Sequence, residues 1–115
     1  MMDFHDSLKI KMHLFVKSVY ENTKDFPKDE LYGVTSQLRR AALSIILNYI
    51  EGFARRRGEG CKIYNNFLDI AYGSLKEAKY LIYFSFTQNY LNENSYKKLL
   101  AQADEIGAML FKVNN

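Results

Sequence analysis

Turn-forming residues are scarce in this chain: one proline and six glycines among 115 residues. A β-sandwich or barrel needs Gly- or Pro-rich turn signals roughly every 8–12 residues, so an all-β architecture is excluded. Cysteine is almost absent as well. Cys61 stands alone, which rules out an internal disulfide and fits a reducing compartment. No run approaches the ~18 uncharged apolar residues of a membrane-spanning helix. The N-terminal stretch carries Asp3 and Asp6 where a signal peptide has its apolar core. These absences predict a cytoplasmic protein with no membrane partner. The length excludes a catalytic domain plus a cofactor domain, so residues 1–115 are expected to form one domain around one core.

What is present is helix-forming material. Hydrophobic residues make up 48% and charged residues 25%, a balance that excludes wholesale disorder. Four segments show apolar residues at three- and four-residue steps. The first, about Asp3 to Asn22, places Phe4, Leu8, Met12, Phe15, Val16 and Val19 on one face. Asp25-Phe26-Pro27 breaks it, because proline lacks the amide hydrogen that a helix uses, and Lys28 to Tyr32 forms a short turn ended by Gly33. The second runs from about Thr35, placed to act as an N-cap, to Arg57, with Gly58-Glu59-Gly60 as the connection. The third runs from about Cys61 to Gln88, with Ile63, Phe67, Ile70, Ala71, Ser74, Leu75, Ala78, Leu81, Ile82 and Ser85 on one side. Asn89 to Leu91 turns the chain into the fourth, from the cap Asn92 to about Val113, which uses Tyr96, Leu99, Ala103, Ile106, Leu110 and Val113. Short connections make neighbouring helices antiparallel. The predicted fold is therefore all-α, an up-down-up-down four-helix bundle.

Helix two carries more apolar surface than a lone bundle can bury. At 100° per residue, Gln37, Arg40, Ser44, Asn48, Glu51 and Arg55 collapse onto one stripe roughly 80° wide, and nearly everything else is apolar. A bundle helix needs an apolar arc only a little wider than ~100°. Leu43, Ile46, Leu47, Ile50 and Ala54 are the surplus. In helix three, Tyr72, Tyr80, Tyr83 and Phe84 fall on the outward side. Such side chains are enriched at interfaces, and a bare apolar patch invites aggregation. Assembly into a homo-oligomer is the economical reading; the other is that loops or the N-terminus fold over these residues. Within the stripe, Ser44, Asn48 and Glu51 are spaced so that their side chains meet. Gln37, Ser44, Asn48 and Glu51 read either as a structural polar network that fixes helix register between subunits, or as the lining of a groove or channel.

The net charge of +3 is local. All five arginines, Arg39, Arg40, Arg55, Arg56 and Arg57, lie between residues 35 and 59, against Glu51 and Glu59. Arginine forks suit phosphate and carboxylate, so this window reads as an anion-facing or partner-facing surface. Arginines that end a helix near its negative pole are the plainer alternative. With Lys62, these residues are the candidates for nucleic-acid phosphate contacts.

The run Phe26-Pro27-Lys28-Asp29-Glu30, then Gly33, Thr35-Ser36-Gln37-Leu38-Arg39-Arg40-Ala41-Ala42 and Ser44-Ile45-x-x-Asn48-x-x-Glu51-Gly52, resembles the 23S rRNA intervening-sequence protein family. Phe67-Leu68-x-Ile70-Ala71-x-Gly73-Ser74-Leu75-x-Glu77 is similar to that family's second signature. The resemblance spans nearly the whole chain. It implies a bacterial antiparallel four-helix bundle, a ring-like homopentamer, and in some relatives an accessory role beside a reverse transcriptase in diversity-generating retroelements, with nucleic-acid binding. For most such proteins the biochemical function is unknown. Family members often carry proline where this chain has Ile46, and Tyr49 and Ile50 also depart from the usual aliphatic and small residues. The missing proline predicts a straighter helix two and a possible change in how subunits meet.

Catalytic constellations are lacking. His5 and His13 are eight residues apart, too far to share a metal, and no Cys or carboxylate stands at ligand spacing. Both read as surface histidines, and Cys61 as a quiet thiol. Gly58-Glu59-Gly60 lacks the Lys-Ser/Thr of a phosphate loop. Glu51 and Glu77 form a carboxylate pair only if two helices bring them together, and neither nucleophile nor metal accompanies them. The expectation is a non-enzymatic protein without metal or cofactor. It would be a self-associating bundle that contacts RNA or DNA through helix two. The alternative is a protein–protein scaffold or accessory subunit, for example of a reverse transcriptase, whose arginines bridge subunits.

Overall fold

In the computed structural model, residues 2–56 and 61–114 are described, with the backbone alone at Cys61 and Asn114. They form four helices: α1 (Phe4–Thr23), α2 (Ser36–Ala54), α3 (Cys61–Thr87) and α4 (Glu93–Asn114). Among the described residues there is no strand. Each helix begins or ends within about three residues of its expected limit. Arg57 and Gly58-Glu59-Gly60, expected to end α2 and connect it to α3, lie outside the described residues.

Local chemistry accounts for most of these boundaries. Asp3 is extended, and its carboxylate accepts the Asp6 amide hydrogen at 2.8 Å, which opens α1 as an N-cap should. That hydrogen bond also holds the Asp3 carboxyl below its ordinary value. At the other end, the Thr23 hydroxyl turns back to the Val19 carbonyl at 2.8 Å. Asn92 caps α4, its side-chain oxygen accepting the Ser95 amide hydrogen at 2.7 Å. Between α3 and α4 the chain reverses at Asn89, whose φ of 65° is left-handed and is tolerated by asparagine.

The link from α1 to α2 departs from expectation. After Pro27 the chain makes a tight turn over Lys28–Glu30 and a wide π turn over Leu31–Thr35. Thr35 was expected to cap α2. Instead its backbone is already helical, its side chain makes no capping bond, and its buried hydroxyl has no partner among the described residues. The chain kinks at Gly33, whose φ of −108° and ψ of −117° are not helical, before it enters the helix, and Glu30 does the capping. Its carboxylate accepts the Val34 amide hydrogen at 3.3 Å and the Tyr90 hydroxyl hydrogen at 2.8 Å. Gly33 leaves room for this, since a Cβ there would lie 2.5 Å from Glu30 Oε1. The Phe26 and Tyr90 rings pack 5.4 Å apart beside it. The link is thus fastened to the α3–α4 turn.

The molecule measures 47 × 29 × 19 Å, and its shortest dimension is about two helix diameters. The longest shared interface is between α2 and α3, and α1 closes against both α2 and α4. The core comprises Leu8, Met12, Phe15 and Val19 of α1, Leu38, Ala41, Ala42, Ile45 and Tyr49 of α2, Leu68, Ala71, Leu75, Ala78 and Ile82 of α3, and Leu99, Ala103, Ile106 and Leu110 of α4. Each fully buried large side chain contributes about 1.5–3 kcal/mol. Ile63 and Ile70, expected inside, are half exposed, and Leu68 takes the core position instead. Helix α3 packs through the arc centred on Ala71, Leu75 and Ile82, which rotates Ile63 and Ile70 out toward the polar stripe of α2. Phe4 likewise remains exposed. With Ile46 in place of a proline, α2 runs unbroken.

Candidate functional site

Most of the apolar residues singled out from sequence are exposed on the outer sides of α2 and α3. In the protomer, Leu47 is 60%, Ile50 45%, Tyr80 62% and Tyr83 52% exposed. Tyr72 and Ala54 are exposed too, and Leu43 is half-buried. No described loop folds over this set. Ile46 differs: it is half-buried against the core, because its side of α2 faces α1. Ile63 and Ile70 of α3 join the exposed set. Sequence periodicity had placed them inside, and only the rotation of α3 reveals them.

A polar groove runs along the α2–α3 seam. A depression of about 450 Å³ is lined by Gln37, Arg40, Ala41, Ser44 and Glu77. The Ser44 and Ser74 hydroxyls bond at 2.7 Å, and Asn48 Nδ2 donates to the Ser44 carbonyl at 2.8 Å and to its hydroxyl at 2.9 Å. Within the protomer this chain of bonds fixes the register of α2 on α3. Glu51 stands apart from it and pairs with Arg55 four residues on. Gly52 is pressed against Phe67 and Tyr64, so Glu51 lies near the start of α3. Glu77 lies ten residues further along, roughly 15 Å at 1.5 Å per residue. The two carboxylates do not form a pair.

The arginines are not brought onto one surface. Arg39 lies near the start of α2 and turns to α1: its Nε donates to the Thr23 hydroxyl at 2.8 Å, and its guanidinium sits 4.7 Å from the Tyr20 ring centre. Arg40 is exposed over the groove. Arg55 and Arg56 lie about 24 Å away at the other end of α2. Arg55 is held by Glu51 and by the Phe67 ring, 5.5 Å distant. Arg56 stacks on Phe53 at 3.9 Å. Lys62 is exposed on the first turn of α3, and Arg57 is outside the described residues. Arg56 and Lys62 therefore cluster at one end, with Arg55 beside them, and Arg39 and Arg40 at the other.

At that basic end, sequence reasoning missed a cluster. His5, expected on the surface, is half-buried. Its Nδ1 shares a short hydrogen bond with the Tyr49 hydroxyl, and its ring packs 4.5 Å from that of Phe53. His13 is exposed as expected. Tyr49 is fully buried, and burial, with Tyr64 as its next neighbour, pushes its hydroxyl well above the ordinary tyrosine value. Burial raises Tyr64 in the same way, and the neighbouring Tyr49 hydroxyl, then the Arg56 cation, pull against it. The buried Tyr64 hydroxyl meets no partner in hydrogen-bond geometry. The only sequence signal was Tyr49 itself, a polar-tipped residue on the buried arc of α2.

Among the described residues, no helix is long and apolar enough to cross a membrane. Residues 8–112 match the family described as 23S rRNA-intervening sequence protein. The fold is also similar to a crystal structure from Bacteroides thetaiotaomicron, a protein of unknown function assigned to the S23 ribosomal protein family. That likeness has a TM-score of 0.80 at 19% identity and covers 94% of this chain and 98% of the other. No curated protein matches the chain.

Proposed function

This chain belongs to the 23S rRNA-intervening sequence protein family, and from that premise we propose a non-catalytic homo-oligomer that contacts nucleic-acid phosphates from the basic end of α2. The observation that carries the oligomer is the apolar exposure on the outer sides of both helices, Leu47 and Ile50 one turn apart on α2 and Tyr80 and Tyr83 one turn apart on α3, because large apolar side chains left bare on a lone domain are costly in water. In a ring of about five subunits, which the family resemblance implies, the basic end that carries Arg55, Arg56 and Lys62 repeats. A small charge per chain then becomes an extended positive surface. The helices alternate in direction in this reading. Supporting contacts occur at both ends of the bundle: His5 meets Tyr49 while Arg39 meets Thr23, and Lys79 meets Asp104 while Phe86 stacks on Tyr96. The absence of chemistry rests on separation, since Glu51 and Glu77 lie far apart and His5 is committed to Tyr49.

The test measures single-stranded RNA affinity at low and moderate salt for the natural protein and for the Arg55/Arg56/Arg57→Ala variant. Affinity should fall steeply between about 50 and 200 mM salt, and the variant should bind more weakly with a shallower salt slope. Equal binding by both would sink the assignment. A second reading is a protein–protein scaffold or accessory subunit, such as one serving a reverse transcriptase, whose arginines bridge subunits; Arg39 and Arg55 already have partners within the chain, which leaves Arg56 and Arg57 to carry it. In that case the same variant would change the assembly mass in light scattering and leave RNA affinity unmoved.

A further inference from the structure

We propose that the pocket at the basic end of the bundle binds a nucleoside monophosphate, either as a free nucleotide or as the phosphorylated terminus of a strand. Phe4, His5, Arg56, Tyr64, Lys112 and Val113 line this depression of about 520 Å³. Among the described residues its lining holds two cations and no carboxylate, whereas the α2–α3 groove holds both Arg40 and Glu77. Asp3 and Asp6, on α1 and its cap, lie outside the lining; Asp3 accepts the Asp6 amide hydrogen and Asp6 pairs with Lys9 at 3.6 Å. Arg56 and Lys112 form no ion pair among the described residues. The Arg56 guanidinium carbon lies 3.9 Å from the Phe53 ring centre, and a guanidinium held over a ring can still give phosphate the two-pronged grip that suits it.

Two further polar groups face the same end. The Tyr64 hydroxyl makes no bond in hydrogen-bond geometry among the described residues, although the Tyr49 hydroxyl is its near neighbour, so it is a donor for which a ligand oxygen can compete. His5 Nδ1 is taken up by the Tyr49 hydroxyl, so Nε2 is the imidazole nitrogen left for a ligand. The apolar lining sets the rest of the ligand. A bare phosphate does not use the Phe4 ring or Val113. A nucleobase stacks on an exposed aromatic face without regard to its identity, so a phosphate joined to a base uses both halves of the pocket.

Arg56 belongs both to this pocket and to the proposed strand-binding surface, so the experiment separates the two. Calorimetric titration with AMP, adenosine and inorganic phosphate should give saturable binding, tightest for AMP. Arg56→Ala should weaken AMP binding about tenfold or more, and Tyr64→Phe about threefold or more, without lowering the melting temperature. Arg40→Ala, at the far end of α2, should leave AMP binding unchanged. Absence of saturation at millimolar AMP, or equal affinity in Arg56→Ala and the natural protein, overturns the proposal. RNA carrying a 5′-phosphate, compared with the same RNA ending in a 5′-hydroxyl, identifies the source. A preference for the phosphorylated end assigns the site to strand termini, and no preference assigns it to free nucleotides. AMP binding without RNA binding keeps this site and removes the strand-binding reading; RNA binding without AMP binding does the reverse.

Discussion

The closest helix approach gives the sharpest test of the packing. A Cβ added at Gly52 would lie 2.8 Å from Phe67 Cβ, 3.2 Å from Tyr64 Cδ1 and 3.3 Å from the Tyr64 carbonyl oxygen. Two of these neighbours, Phe67 Cβ and the carbonyl, belong to α3 at or next to its backbone, so no side-chain rotation relieves them. Restoring an ordinary carbon–carbon separation of about 3.5 Å requires α2 and α3 to part by roughly 0.7 Å there. Gly73 is the control. It lies within α3, and a Cβ there meets nothing within 4 Å. Gly→Ala in a helix gains about 1 kcal/mol at either site, whereas overpacking costs about 1–3 kcal/mol at Gly52 alone. Gly73→Ala should therefore be more stable than Gly52→Ala by about 1–3 kcal/mol. For a domain of this size that is a gap in melting temperature of about 4–12 °C. Circular dichroism melts at one fixed protomer concentration read it directly, since association would shift the curves. Equal melting temperatures would refute the close α2–α3 contact and the register fixed by Ser44 and Ser74.

Three other outcomes are expected. Thr35→Val replaces a buried hydroxyl that has no partner with a methyl of the same shape, and should raise stability by about 1 kcal/mol in urea unfolding; a loss would mean that the hydroxyl is satisfied. Ile50→Glu, at a site 45% exposed in the protomer, should leave monomer helicity intact and reduce the mass seen by light scattering, and an unchanged mass would remove Ile50 from the interface. Burial raises the hydroxyls of Tyr49 and Tyr64, and the Glu30 carboxylate raises that of Tyr90 by accepting its hydrogen bond. Above pH ~10 the unfolded chain has lost protons that the folded chain still holds, so stability is full below that pH and falls as pH rises further. Ionisation of all nine tyrosines without loss of helix signal would contradict this.

The number of helices and most of their limits were legible in the sequence because both are local properties. Apolar spacing near 3.6 residues, Asp3 and Asn92 as caps, and Pro27 as a breaker act within a turn or two of themselves. The surplus on α2 was legible for the same reason, since a helix wheel needs no knowledge of neighbours. Thr35 was misread because its role depended on Glu30, and Glu30 on Tyr90, which is 60 residues away.

The sequence alone therefore determined a four-helix chain with more apolar surface on its second helix than one bundle can bury. Tertiary structure decided which side chains meet. It sent Ile46 inward and Ile63 and Ile70 outward, because a helix's rotation is set by whichever partner packs on it. It tied Arg39 to α1 and divided the arginines between two ends, because a contiguous segment becomes a rod longer than any side chain's reach. It also joined His5 to Tyr49 across 44 residues, building a basic, aromatic pocket that no local spacing of residues encodes.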